Sequence, residues 1–201
     1  MKNGNVLTSE PISQDLEGNL YSIWIDEDYL LKMARSRDGA ATWSKPIILS
    51  APVSNGTKPV MSYHPMMIHH PTMYGRAALA YYGSQDGGKT WHGYVAETGN
   101  IHEDRPVFSS IIVNEQSQPL QHNVDGMWDQ GYRNPFADLV EFLGLRYHPK
   151  TGDLIAAFTR KMCSQYMTNP ASFDTKSCLD GWDFYKQDNS TWQGYVAFVR
   201  H

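Results

Sequence analysis

Apolar and polar residues alternate in short runs along the chain, and three of the runs open the same way. A Gly is followed two places on by a small or aliphatic residue and six places on by an aromatic. The copies are Gly18-Asn-Leu20-Tyr-Ser-Ile-Trp24, Gly75-Arg-Ala77-Ala-Leu-Ala-Tyr81 and Gly152-Asp-Leu154-Ile-Ala-Ala-Phe158. Each follows a turn-like stretch: Gln14 to Gly18, His70 to Gly75 and His148 to Gly152. A Gly there closes a hairpin, and the residues at +2, +4 and +6 share one face of the strand that follows. The pattern predicts strands near 6–14, 18–26, 29–36, 43–49, 64–70, 75–83, 90–97, 140–147, 152–160 and 191–199. Residues 50–62 read as a loop on composition, and the pattern is weak from 99 to 135 apart from the apolar run Val107 to Val113. Helical periodicity is present over 137–147, but Phe142, Gly144 and Arg146 fall in strand register just before a hairpin turn. Residues 161–190 form a polar insertion flanked by Cys163 and Cys178.

Two further repeats lie on this frame. Thr90-Trp-His-Gly-Tyr-Val-Ala96 matches Thr191-Trp-Gln-Gly-Tyr-Val-Ala197 at six of seven positions. The sharpest signal has the form S-x-D-x-G-x-T-W. It is complete in Ser84, Asp86, Gly88, Thr90 and Trp91, and is repeated earlier by Ser36, Asp38, Thr42 and Trp43, with Ala40 where the Gly belongs. Asp bonds backbone N–H groups across a tight turn, and Gly supplies a positive φ. Thr opens the next strand, and the Trp ring is expected to plug the space between turns. With Ala in the Gly position, the first turn is expected to be strained.

These residues resemble the Asp box of the sialidase-like, or BNR-repeat, β-propellers. Gly75 to Tyr82 with Trp91 to Ala96 is similar to late blades of bacterial exo-sialidase-like proteins. So are Tyr132-Arg-Asn-Pro, Asp138 to Leu145, and Gly152 to Phe158 with Cys163. The resemblance covers roughly residues 15–200. It implies an all-β protein of one domain over 1–201, with about four blades or the C-terminal portion of a six-bladed propeller. The early F/Y-R-I-P strand, which carries one arginine of the sialidase carboxylate clamp, is absent from this chain, and Tyr132-Arg133-Asn134-Pro135 imitates it late. The family implies an exo-glycosidase, or a fragment of one, acting on glycans. The alternative is a non-catalytic propeller module that binds glycan or protein, and the missing arginine strand favours it. In sialidases a Tyr assisted by a Glu is the nucleophile. Here Tyr132, Arg133, Asp138 and Glu141, with Arg146 nearby, form the only dense cluster of suitable types, against which stands an ordinary Arg133–Asp138 ion pair. The Asp boxes are turn devices in the family, not catalytic groups.

Composition narrows the field. The 201 residues are 41% apolar and 19% charged, with 16 Gly and 11 Pro, which suits short strands and tight turns. The net charge of −4 gives no basic surplus for nucleic acid. No apolar run spans a membrane. There is no P-loop, G-x-S-x-G elbow, H-E-x-x-H or C-x-x-C. Adjacent His69 and His70 point to opposite faces of a strand and do not share an ion. No cofactor is expected, although the Asp- and Asn-rich loops 123–134 and 180–189 carry the oxygen donors that calcium takes. The first residues lack the apolar stretch of a signal peptide, so the chain is cytoplasmic unless a leader was removed, in which case it is secreted or periplasmic. Cys163 and Cys178 bracket a segment with little apolar content of its own, and a disulfide between them is expected to clip it. The sequons at Asn55 and Asn189 permit an oxidising compartment.

Overall fold

A computed structural model describes residues 6–9, 12–50, 60–88, 90–117, 119–122, 143–163 and 190–200, and all its regular elements are strands. The first meander pairs β1 (Val6–Ser9) and β2 (Ser13–Gln14) with β3 (Leu20–Asp26), β3 with β4 (Leu31–Ser36), and β4 with β5 (Ile47–Ile48), all antiparallel. The strand expected over 6–14 is thus two short pieces on one edge of β3. The second meander runs β6 (Met61–His69), β7 (Ala77–Ser84), β8 (Thr90–Thr98), β9 (Ser109–Ile112). The two-residue β10 (Gln121–His122) bridges β8 and the far end of β12 (Leu154–Cys163), antiparallel to the former and parallel to the latter. In the third meander β12 lies between β11 (Gly144–Tyr147) and β13 (Ser190–Val199).

The repeats in the sequence are one hairpin used twice. In β7–β8, Ala77 faces Thr98 and Tyr81 faces Tyr94; in β12–β13, Leu154 faces Val199 and Phe158 faces Tyr195. These are the same motif positions in the same register. The second Asp box closes β7–β8 between Ser84 and Thr90, and the Cys-flanked segment takes its place in β12–β13. That segment is shorter than the expected 161–190: β12 continues to Cys163, which pairs across the ladder with Ser190.

Packing explains why β7 reads as an unbroken apolar run. Its residues are buried on both faces, as in a strand covered by a layer on each side. Ala77, Leu79 and Tyr81 pack with Tyr21, Ile23, Ile25 and Leu31 of the first meander. Ala78, Ala80 and Tyr82 pack with Leu145, Leu154, Ala156 and Phe158 of the third. Among the described residues, the three meanders therefore pack in face-to-face layers, with β10 joining the second to the third. Tyr82 ties two of them, its hydroxyl accepting from Thr159 N at 2.8 Å. Gly93 is required where layers meet, because a Cβ there would lie 2.9 Å from Val113, 3.1 Å from Leu120 and 3.1 Å from Phe158. The all-β class expected from the sequence is observed. The described residues form three antiparallel meanders.

Candidate functional site

The two Asp boxes adopt one geometry. In the first, Ser36 Oγ donates to Asp38 Oδ1 at 2.8 Å and accepts from Ala40 N at 2.9 Å, while Asp38 accepts from Thr42 N at 2.8 Å and Thr42 Oγ1 at 2.6 Å. In the second, the equivalent distances through Ser84, Asp86, Gly88 and Thr90 are 2.8, 2.8, 2.9 and 2.7 Å. The bonds from Thr42 and Ser36 hold the Asp38 carboxyl down at about 2. Ala40 takes φ 71° where Gly88 takes 88°, so the strain expected at Ala40 is present.

The boxes differ in two respects. Trp91 is fully buried, with its Nε1 donating to Gly88 O at 3.1 Å, but Trp43 is 38% exposed. The plug expected at Trp43 is corrected: β5 starts four residues later, so Trp43 precedes the strand and its layer. The boxes also sit at opposite ends of their sheets. The first follows Ser36, which pairs with Leu20 beside the Gly18 turn. The second follows Ser84, a strand's length from the Gly75 turn.

Several ionisable side chains gather at the end with the Gly turns. Arg76 reaches Glu97 through Nε at 2.5 Å and Nη2 at 3.0 Å, and the Tyr147 hydroxyl donates to Glu97 Oε1 at 3.0 Å. The Arg76 guanidinium lies 5.7 Å over the Tyr147 ring. Burial, and then the Glu97 carboxylate, push the Tyr147 phenol well above its ordinary range. Tyr147 also walls a cavity of about 710 Å³ between β6 and β11, with Ser13, Met66, His69 and exposed Arg146 among its lining. Ser13 Oγ and His69 Nε2 are 3.1 Å apart there, and burial lowers His69 to about 4, so its ring is neutral at pH 7.

Asp15, Glu17 and His102 also converge, with His102 Nδ1 3.6 Å from Asp15 and 3.4 Å from Glu17. A metal does not fit this trio. Asp15 Oδ1 accepts from the amides of Glu17 and Asn19, and Oδ2 from Asn19 Nδ2 and Tyr21 OH, all at 2.8–2.9 Å. Those four bonds fill a carboxylate's acceptor positions and leave no lone pair for an ion.

Tyr132, Arg133, Asp138 and Glu141 lie outside the described residues, as do Cys178, the side chain of Cys163 and the loops 123–134 and 180–189. Arg146 is the one member of that cluster the structure places, on the cavity wall. Sequence reasoning missed Arg76, Glu97 and Tyr147. The repeat register carried part of the signal: it sets Glu97 opposite Ala78, which makes Arg76 its diagonal neighbour.

No family model and no curated protein matches the chain. Among solved structures, it is similar to the NanB sialidase from Streptococcus pneumoniae in complex with 2-[(3-chlorobenzyl)ammonio]ethanesulfonate, at 13% identity and a TM-score of 0.47. A mutant of the same sialidase matches equally. The alignment covers 100% of this chain and 24% of the sialidase, so the chain spans about a quarter of that protein's length. The likeness is distant and brings no residue role to this chain.

Proposed function

We propose that the chain is a portion of an Asp-box β-propeller that holds glycan in the groove between β6 and β11. The observation that carries this reading is the groove itself, a cavity of about 710 Å³ with Arg146, Tyr147, Ser13 and His69 set among apolar side chains. Such a wall, apolar with a few placed polar groups, suits a sugar ring's mixed surface. Binding is favoured over hydrolysis. The Tyr147 phenol is held protonated and donates to Glu97, and both Glu97 oxygens are taken by Arg76. A phenol held protonated in this way is a weak nucleophile, and both oxygens of its carboxylate partner are occupied by one guanidinium. The catalytic reading, an exo-sialidase-like glycosidase, rests on Tyr132, Arg133, Asp138 and Glu141 and on the Asp-box resemblance. Secretion or periplasmic location, with a Cys163–Cys178 disulfide, completes the proposal.

The test is isothermal titration with sialosides and neutral oligosaccharides, run beside a fluorogenic glycoside assay. Arg146→Ala removes an exposed cation without disturbing the core. It is expected to weaken binding by about tenfold or more, the scale of one charge-assisted hydrogen bond. Binding unchanged in both Arg146→Ala and Tyr147→Phe would refute the groove as the site. Hydrolysis abolished by Glu141→Gln would move the conclusion to the enzyme.

A further inference from the structure

The three turns that precede β3, β7 and β12 share one closure that their sequences conceal. In each, the first residue's amide donates to the carbonyl just past the Gly: Asp15 to Asn19 at 3.1 Å, His70 to Arg76 at 2.9 Å and His148 to Asp153 at 2.7 Å. In each, the same residue's side chain accepts backbone amides inside the turn. Asp15 Oδ1 takes those of Glu17 and Asn19, both at 2.9 Å. His70 Nδ1 takes Thr72 N at 3.2 Å and Met73 N at 3.0 Å. His148 Nδ1 takes Lys150 N at 3.4 Å and Thr151 N at 3.1 Å. Pro71 and Pro149 follow the two histidines and fix φ at the next position, so both imidazoles are presented to the same two amides. An imidazole accepts at Nδ1 only while that nitrogen is bare, with the proton on Nε2. Protonation replaces the lone pair by an N–H facing two other N–H donors. A carboxylate in the same position keeps accepting until far lower pH.

We propose that the two His-Pro turns are acid-labile closures: proton uptake by His70 and His148 frees their backbone donors and loosens the groove walls, while the Asp15 turn stays closed. The link to the groove is covalent and short. His69 and Pro71 flank His70, and Tyr147 precedes His148; all three flanking residues line the cavity. The Tyr147 ring also packs on His70 at 4.5 Å. The surroundings of the two rings differ. Around His70, which is 6% exposed, the enclosed space also holds Asp15, His69, Arg76 and His102. Around half-buried His148 are the Lys150 backbone and Asp153, whose carboxylate takes the Thr151 hydroxyl at 2.7 Å. The consequence for ligand binding rests on the groove reading above; the chemistry of the turns does not.

The experiment is nuclear magnetic resonance of the nitrogen-labelled chain between pH 7.5 and 5, with ring titration followed directly. At pH 7.5 both rings are expected as the Nε2–H tautomer. As His148 takes up its proton, protection of the Thr151 amide is expected to fall by about tenfold, and that of Asn19 to hold. His148→Asp puts an oxygen acceptor in the same position and is expected to keep Thr151 protected to pH 5. An Nδ1–H tautomer at neutral pH overturns the proposal. So does Thr151 protection that is unchanged through the ring's titration, or lost equally in His148→Asp. Sugar titrations at both pH values separate the two readings. Absence of binding at either pH refutes the groove and leaves the turn result standing; binding that is equal at both pH values while the turns open refutes the coupling.

Discussion

Replacing Ala40 by Gly isolates the strain in the first Asp box. The second box is the internal reference, because its hydrogen bonds match within a few tenths of an ångström and it carries Gly88 at the equivalent position. Ala40 sits at φ 71°. An L-residue in that region costs roughly 1–2 kcal/mol relative to its relaxed conformation. Gly removes that cost but adds back about 0.5–1 kcal/mol through the greater freedom of the unfolded chain. The expected net gain is about 0.5–1 kcal/mol. For a chain of this size that raises Tm by about 1–4 °C. Calorimetry and urea titration of both proteins at pH 7 read it, with an unchanged urea slope as the sign that only stability moved. Ala40 is exposed and is not part of the groove lining, so sugar binding is expected to stay the same. An unchanged or lowered Tm would refute the reasoning, since a turn without left-handed strain at residue 40 has nothing to release.

Three other outcomes are expected. Asp86→Ala leaves the Thr90 amide and the Ser84 and Thr90 hydroxyls without their acceptor, and should lower stability by about 1–3 kcal/mol while leaving the groove unchanged; loss of sugar binding at an unchanged Tm would contradict a purely structural box. Burial lowers His69 from 6.5 to about 4, so its contribution to stability is complete above pH 6.5 and is lost as pH falls through about 4; a ring titration with its midpoint near 6.5 would show that His69 is not buried as described. Cys163 and Cys178 should resist alkylation in unreduced protein made in an oxidising compartment, as intact mass will show; two labelled thiols would remove the disulfide and the argument for secretion with it.

Much of the fold was legible because backbone pairing obeys rules that leave marks at fixed spacing. The motif after Gly75 and Gly152, with the repeated Thr-Trp-x-Gly-Tyr-Val-Ala strand, is enough to set the register of both hairpins. The Asp boxes announced their turns because one residue type at each position performs one task. Position relative to a neighbouring layer was not legible: Trp43 and Trp91 carry the same motif, yet one precedes a two-residue strand and stays exposed while the other opens a nine-residue strand and is buried. The side-chain-closed turns were hidden for a different reason. Asp15 shares with His70 and His148 an acceptor's role and a bonding pattern but not their residue identity, so no letter-by-letter repeat links the first turn to the other two. The groove was half-visible. Arg146 was singled out on residue type, whereas Tyr147 and Glu97 meet across 50 residues of chain.

The groove assignment is tested most directly by mapping amide shifts of the labelled chain on addition of sialosides and neutral oligosaccharides at pH 7.5. The account predicts that one of these sugars moves the signals of Ser13, His69, Arg146 and Tyr147 together, and leaves both Asp boxes still. Shifts centred on Asp38 or Asp86, or no shift at any of the four groove residues with every sugar, would contradict it.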